Sequence, residues 1–197
     1  MRGNGSVEKR GAPPSVSALP FRASCVLGSP PMNAEAEKII ALLGLAPLPH
    51  EGGFFRRTWT SPTTLPDGRA AGSAIYFLLT PGDFSALHRL QTDEAWFFHA
   101  GDPVEHVQLI PDGRTTRVAL LGSDPLAGFV PQLIVPAGVW QGARLAPPNG
   151  AQPMHDWALV SSTMAPAWDE REFELGGRAE LLCEFPEAAD LIRALTR

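Results

Sequence analysis

The chain has 197 residues, 44% of them hydrophobic, with twenty prolines, nineteen glycines and a formal net charge of −5. That length suits one well-buried core rather than two, and so much proline and glycine excludes a helical bundle in favour of short strands joined by tight turns. No apolar run approaches the roughly 20 residues that span a bilayer, and the acidic balance argues against nucleic acid as a partner.

Residues 1–32 carry Arg2, Lys9, Arg10 and Arg22 against Glu8, a charge of +3 that leaves −8 for the remainder. They are rich in Gly, Pro, Ser and Ala and lack apolar periodicity, so they read as a disordered tail. A start misassigned upstream of Met32 is the alternative, because Met32 directly precedes a helical pattern. The folded unit is therefore expected over residues 33–197. Cys25 and Cys183 lie far apart and form neither a disulfide framework nor a metal knuckle, which points to a reducing cytoplasm.

Asn33 can cap a helix over Ala34–Leu43, and Gly44 stops it. A turn at His50-Glu51-Gly52-Gly53 then runs into a strand ending near Thr60. Alternation puts Phe54, Arg56 and Thr58 on one face of that strand and Phe55, Arg57 and Trp59 on the other. Ser73–Thr80 is an apolar strand on which Tyr76 and Phe77 face opposite ways. Gly82 to Gly101 reads as two strands and a turn, with His88 and Leu90 on one face and Glu94, Trp96 and Phe98 sharing another. Val104–Ile110 and Thr115–Leu121 form a hairpin about Pro111-Asp112-Gly113. Gln132–Val135, Gln141–Leu145 and Trp157–Met164 are further strands, and helices over Arg178–Glu184 and Pro186–Leu195 finish the chain. Eight or nine strands at this spacing suffice for a jelly-roll barrel.

The spacing of Gly82, His88, Glu94 and Gly101 resembles the first motif of the cupins, with Leu90 where the metal-binding form has a second histidine. Pro136-Ala137-Gly138-Val139-Trp140-Gln141 resembles the second motif, with Gln141 at the third histidine's place. Together with the helix, His50-Glu51-Gly52-Gly53-Phe54-Phe55-Arg56, Ala74–Leu79, Asp93–Asp102 and Phe173-Glu174-Leu175, these motifs are similar to the small single-domain cupin-5 family, formerly a domain of unknown function. The resemblance covers roughly residues 34–186. It implies an all-β, single-domain jelly roll with an N-terminal and short C-terminal helices, a pocket inside the barrel, and a homodimer. Apolar residues on both faces after Gly53 (Phe54, Phe55 and Trp59) are also what a dimer interface would use.

Three functions follow. A small-molecule-binding module, its ligand sugar-like or bearing a carboxylate or phosphate, would use His50, Gly53, Arg56, Trp96, Phe98, Trp140 and Gln141. An isomerase or epimerase would use His88 and Glu94 as an acid–base pair, with Tyr76. A metal-dependent oxygenase would hold a divalent metal on His88, Glu94 and Gln141, completed in principle by His50 or His99. Catalytic metal sites commonly want two histidines and a carboxylate, so no cofactor is favoured. No Gly-x-Ser-x-Gly elbow, P-loop, dinucleotide fingerprint or Cys-x-x-Cys pair occurs. The expected partners are a small molecule and a second copy, not nucleic acid or membrane.

Overall fold

Asn33 behaves as its place before an apolar periodic run predicts. Its side-chain oxygen accepts the Glu35 N–H at 2.7 Å and caps α1 (Ala34–Leu43), whose first turn holds Glu35 and Glu37 at the positive end of the helix dipole. Gly44, in the left-handed region at φ 61°, ends the helix. The computed structural model describes residues 32–146 and 154–197; the tail expected over residues 1–32, with Cys25, lies outside the described residues except for Met32.

Eleven strands follow: β1 (Ala46–Pro47), β2 (Phe54–Thr60), β3 (Ser73–Leu79), β4 (Ser85–Arg89), β5 (Glu94–Gly101), β6 (Val104–Ile110), β7 (Thr115–Leu121), β8 (Gln132–Val135), β9 (Trp140–Leu145), β10 (Ala158–Met164) and β11 (Glu174–Leu175). The nine longer ones match the expected strands. The two-residue β1 and β11 were not foreseen, since two residues carry no periodicity. Pairing gives a six-stranded sheet ordered β1-β2-β3-β10-β5-β8 and a five-stranded sheet ordered β11-β4-β9-β6-β7. The two antiparallel sheets form the expected jelly roll. At the C terminus come α2 (Arg178–Glu184), a 3₁₀ turn at Pro186–Ala188 and α3 (Ala189–Ala194). Among the described residues no helix is long and apolar enough to cross a membrane.

Strand alternation divides the apolar residues among three cores. Phe77, Leu79, Trp96, Val104, Leu121 and Val160 fill the space between the sheets. On the outer face of the five-stranded sheet, Leu87, Val107, Leu109 and Trp140 pack against Leu181 and Phe185 of the α2 region and Ile192 and Leu195 of the α3 region. Leu78, Trp157 and Phe54 pack beneath α1. Consecutive residues of β4 thus go to different places: Leu87 meets the C-terminal helices, and His88 turns inward.

Three β-bulges interrupt the regular alternation, one of them on β4 between Ser85 and His88. The β2–β3 register slips between Arg57 and Trp59, so Trp59 pairs with Ala74 on the outer face instead of following Arg57 inward. Phe54 is used under α1 and Phe55 packs on the barrel core. Of the three residues behind the expected dimer, Trp59 alone stays largely exposed, at 51%. The β5–β10 register slips opposite His99, whose Nε2 lies 2.8 Å from Ser161 Oγ on the outer face.

The barrel encloses His106, which is fully buried and lies edge-on to Trp96 with ring centroids 5.0 Å apart. Among the described residues neither ring nitrogen has a hydrogen-bond partner. Burial pushes its pKa from 6.5 down to about 3, with the nearby Gln141 amide opposing the shift and the charge of His88 adding to it.

Two outcomes are expected. The folded state holds His106 neutral, so this group's contribution is complete above pH 6.5 and is lost as pH falls toward 3. His106→Leu should flatten the acid limb of the stability curve by up to about 1.4 kcal/mol per pH unit within that window, measured by urea unfolding at several pH values; an unchanged slope contradicts the buried neutral imidazole. Ile192, fully buried beneath the five-stranded sheet, should cost about 2–5 kcal/mol on replacement by alanine. A loss under 1 kcal/mol would mean the C-terminal helices are not part of the core.

Candidate functional site

The turn between β1 and β2 carries His50 and Glu51 to the barrel. Leu48 N–H donates to the Gly53 carbonyl at 2.9 Å and Gly52 N–H to the Leu48 carbonyl at 3.0 Å. Gly53 sits at φ 70°, and a Cβ there would lie 2.6 Å from the Phe77 ring, so only glycine lets the turn press this close to the barrel wall. Asp83 fixes the turn from below: it accepts the Gly53 N–H at 2.8 Å and Arg197 Nη2 at 2.8 Å. Burial works against the Asp83 charge, but these partners and the Phe84 N–H hold its pKa below the ordinary value. The Glu51 carbonyl accepts from Ala86 N–H at 2.8 Å, which joins the turn to β4.

Between the sheets lies a cavity of about 530 Å³. Its apolar walls come from Phe55 on β2, Ile75 and Phe77 on β3, Leu90, Trp96 on β5 and Met164 on β10, with Trp168 and Phe173 reaching over from the segment after β10. Glu51, His88 and Glu94 are polar members of this lining, with Ser73 and Ser162; His50, Arg57 and Glu170 line it from exposed positions.

Each polar group of the closed end is oriented by one partner. His88, 2% exposed, places Nδ1 2.7 Å from the Ala86 carbonyl. A carbonyl only accepts, so Nδ1 carries a proton, and the tautomer of the uncharged ring is the one with its lone pair on Nε2. The ring is stacked on Phe173, with centroids 5.4 Å apart. Trp96 Nε1, which can only donate, gives its hydrogen to Gln141 Oε1 at 3.1 Å. The Gln141 NH₂ must then face Glu94, and Nε2 donates to Glu94 Oε2 at 2.7 Å. Ser85 Oγ donates to Glu51 Oε1 at 2.7 Å. Burial pushes the Glu51 pKa up; the charge of Glu94 adds to this, while His88 and the Ser85 hydroxyl oppose it. The three groups are close enough to feel one another.

This donor set does not fit a divalent metal. Leu90 stands where a second imidazole would be needed, and both ends of the Gln141 amide are engaged, to Trp96 and Glu94. Among the described residues no three His, Cys, Asp or Glu side chains are grouped to hold an ion. His99 faces outward and His50 is exposed, so neither completes the set.

The structure redistributes the other expected site residues. His50, His88, Glu94 and Trp96 line the cavity. Gln141 stands behind it, 1% exposed. Tyr76 does not reach it: the side chain packs on the outer face toward α1 and edge-on to His99, and Phe77 takes the inward position. Arg56 also faces outward, its guanidinium 5.9 Å from the Tyr76 ring, and Arg57 takes the cavity position. Trp140 belongs to the core under the C-terminal helices, below Arg89 at 4.5 Å. Phe98 packs in the barrel core away from the cavity lining. Gly53 packs closely against Phe77 and is outside the cavity lining.

Sequence reasoning missed Glu51, Arg57, Trp168 and Phe173. Glu51 lay inside the quoted turn motif, and Arg57 shares the parity of Phe55, so both had a usable signal. Trp168 and Phe173 had none, because they lie on an irregular segment. It is held by Trp168 N–H to Ser73 Oγ at 3.1 Å, by Thr92 Oγ1 to Glu172 Oε2 at 2.6 Å and by the Arg69–Glu172 ion pair.

The family described as Cupin superfamily (DUF985) matches residues 37–176. The solved structure of a protein from Shewanella oneidensis is 33% identical, with 82% of this chain and 97% of that one covered at a TM-score of 0.74. A hypothetical protein from Leishmania major is also 33% identical, covering 82% of this chain and 98% of its own, with a TM-score of 0.75. No curated protein matches the chain. A match over most of its length, on two antiparallel sheets closed around an inward-facing His88 and Glu94, makes the chain a member of this cupin family.

Proposed function

We propose that the chain binds a small organic molecule inside the barrel, its apolar body against Trp96, Phe77 and Phe173 and its hydrogen-bond-donating end at Glu51, His88 and Glu94. The observation that carries this reading is the closed end itself. Three buried or half-buried acceptors converge there, each held by one protein partner and each with an atom left over. Buried polar groups are normally satisfied, and a ligand with donors would satisfy these. Of the expected ligand classes, a sugar-like molecule matches because its hydroxyls donate. A carboxylate or phosphate would meet Arg57 only at the exposed mouth.

A second reading, isomerase or epimerase chemistry, is favoured by the pinned tautomer of His88. Nε2 is available as a base, and Glu51, whose pKa is raised, replaces Tyr76 as the candidate acid beside the expected Glu94. In this reading Glu51→Gln would abolish turnover while leaving binding largely intact.

Thermal-shift screening of the full chain against amines, polyols and organic acids tests the binding reading. A ligand at 100 times its Kd should stabilise the protein by about 2.7 kcal/mol, a rise of roughly 5–10 °C for a chain of this size. Ser162→Phe should abolish the shift while still melting cooperatively, because Ser162 lines the cavity and is only 4% exposed. Shifts of equal size in the blocked variant, or no shift from any class, would contradict it.

A further inference from the structure

The polar groups at the closed end of the cavity can all accept a hydrogen bond from a ligand. His88 spends its Nδ1 hydrogen on the Ala86 carbonyl, so Nε2 is the ring atom left for a ligand, and in the uncharged ring it is a lone pair. Glu94, 7% exposed, has Oε2 held by Gln141 and Oε1 free. Glu51 has Oε1 held by Ser85 and Oε2 free. Among the described residues no Lys or Arg side chain reaches them: the Arg57 guanidinium is turned to the Trp168 ring, 5.4 Å from its centroid, at the exposed mouth with His50 and Glu170.

We propose that the closed end recognises an organic cation, an ammonium or amidinium group carried on an apolar body small enough for the cavity. The proposal rests on the binding reading above and names its ligand class. Two carboxylates with one free oxygen each, and an imidazole lone pair between the sheets, supply three acceptors, which is what an ammonium group requires. The aromatic walls add to this, since the faces of Trp96, Phe77 and Phe173 attract a desolvated cation. A carboxylate or phosphate at this end would meet two like charges. A neutral polyol satisfies the acceptors and leaves the carboxylate charge uncompensated.

A second consequence follows from the crowding of Glu51 by burial and by Glu94, which raises its pKa. A cation favours the ionised carboxyl, so amine affinity rises with pH through the Glu51 titration, above the ordinary 4.5. The other titratable groups lining the cavity are Glu94, His88, His50, Arg57 and Glu170. An uncharged ligand lacks this charge-driven rise.

The test is isothermal titration of the full chain with three probes of one shape: phenethylamine, 2-phenylethanol and 3-phenylpropionate. The amine is expected to bind at least tenfold more tightly than the alcohol, with no measurable binding of the acid. Glu94→Gln should weaken the amine by tenfold or more and the alcohol by less than threefold, and Glu51→Gln repeats the test should the first variant not melt cooperatively. Equal affinity for amine and alcohol, or tighter binding of the acid, overturns the cation assignment while leaving the binding reading in place. No binding of any probe also overturns it, and the binding reading falls with it only if the broader screen is empty as well.

Discussion

An indole N–H can donate and cannot accept, and the order of the closed end follows from that asymmetry. Trp96 gives its hydrogen to Gln141 Oε1, so the amide NH₂ faces Glu94 and the carboxylate is held as an acceptor beside the cavity. The relay crosses between the sheets: Trp96 and Glu94 come from β5 of one, Gln141 from β9 of the other. It joins the sheets at the point where their facing side chains stop being apolar. Because the amide is engaged at both ends, Gln141 orients a carboxylate.

The second constraint is backbone geometry at the mouth. Glu51 reaches the interior only because the Gly52-Gly53 turn lies against Phe77 and is gripped by Asp83 and Arg197. The turn thus brings a second carboxylate to the space that Leu90 leaves without an imidazole. Among the described residues the cavity thus sets two carboxylates beside one imidazole, and no three His, Cys, Asp or Glu side chains are grouped to hold an ion.

Most of the fold was legible in the sequence because its signals are local. Asn33 and Gly44 bracket α1, the Pro111-Asp112-Gly113 turn marks the β6–β7 hairpin, and alternation identified nine strands. The site was half legible. His88, Glu94 and Trp96 follow from two-residue periodicity within short strands and from the motif spacing. Trp140 did not, because a strand's parity says which residues share a face, not which face looks inward; here it looks toward α2 and α3. The same ambiguity exchanged Tyr76 for Phe77 and Arg56 for Arg57. The bulge beyond Arg57 was invisible because no glycine or proline marks it, and Trp168 and Phe173 reach the cavity from a segment whose shape is set by long-range contacts to Thr92, Arg69 and Ser73.

Carboxyl carbon-13 NMR of glutamate-labelled protein, titrated with pH, tests the central claim most directly. The account predicts one resonance, missing from Glu51→Gln, that titrates above the ordinary 4.5 and shifts to lower pH in Glu94→Gln, because a like charge has been removed. A Glu51 resonance with an ordinary pKa, or one indifferent to Glu94→Gln, would mean that the two carboxyl groups do not meet in the cavity and would contradict it.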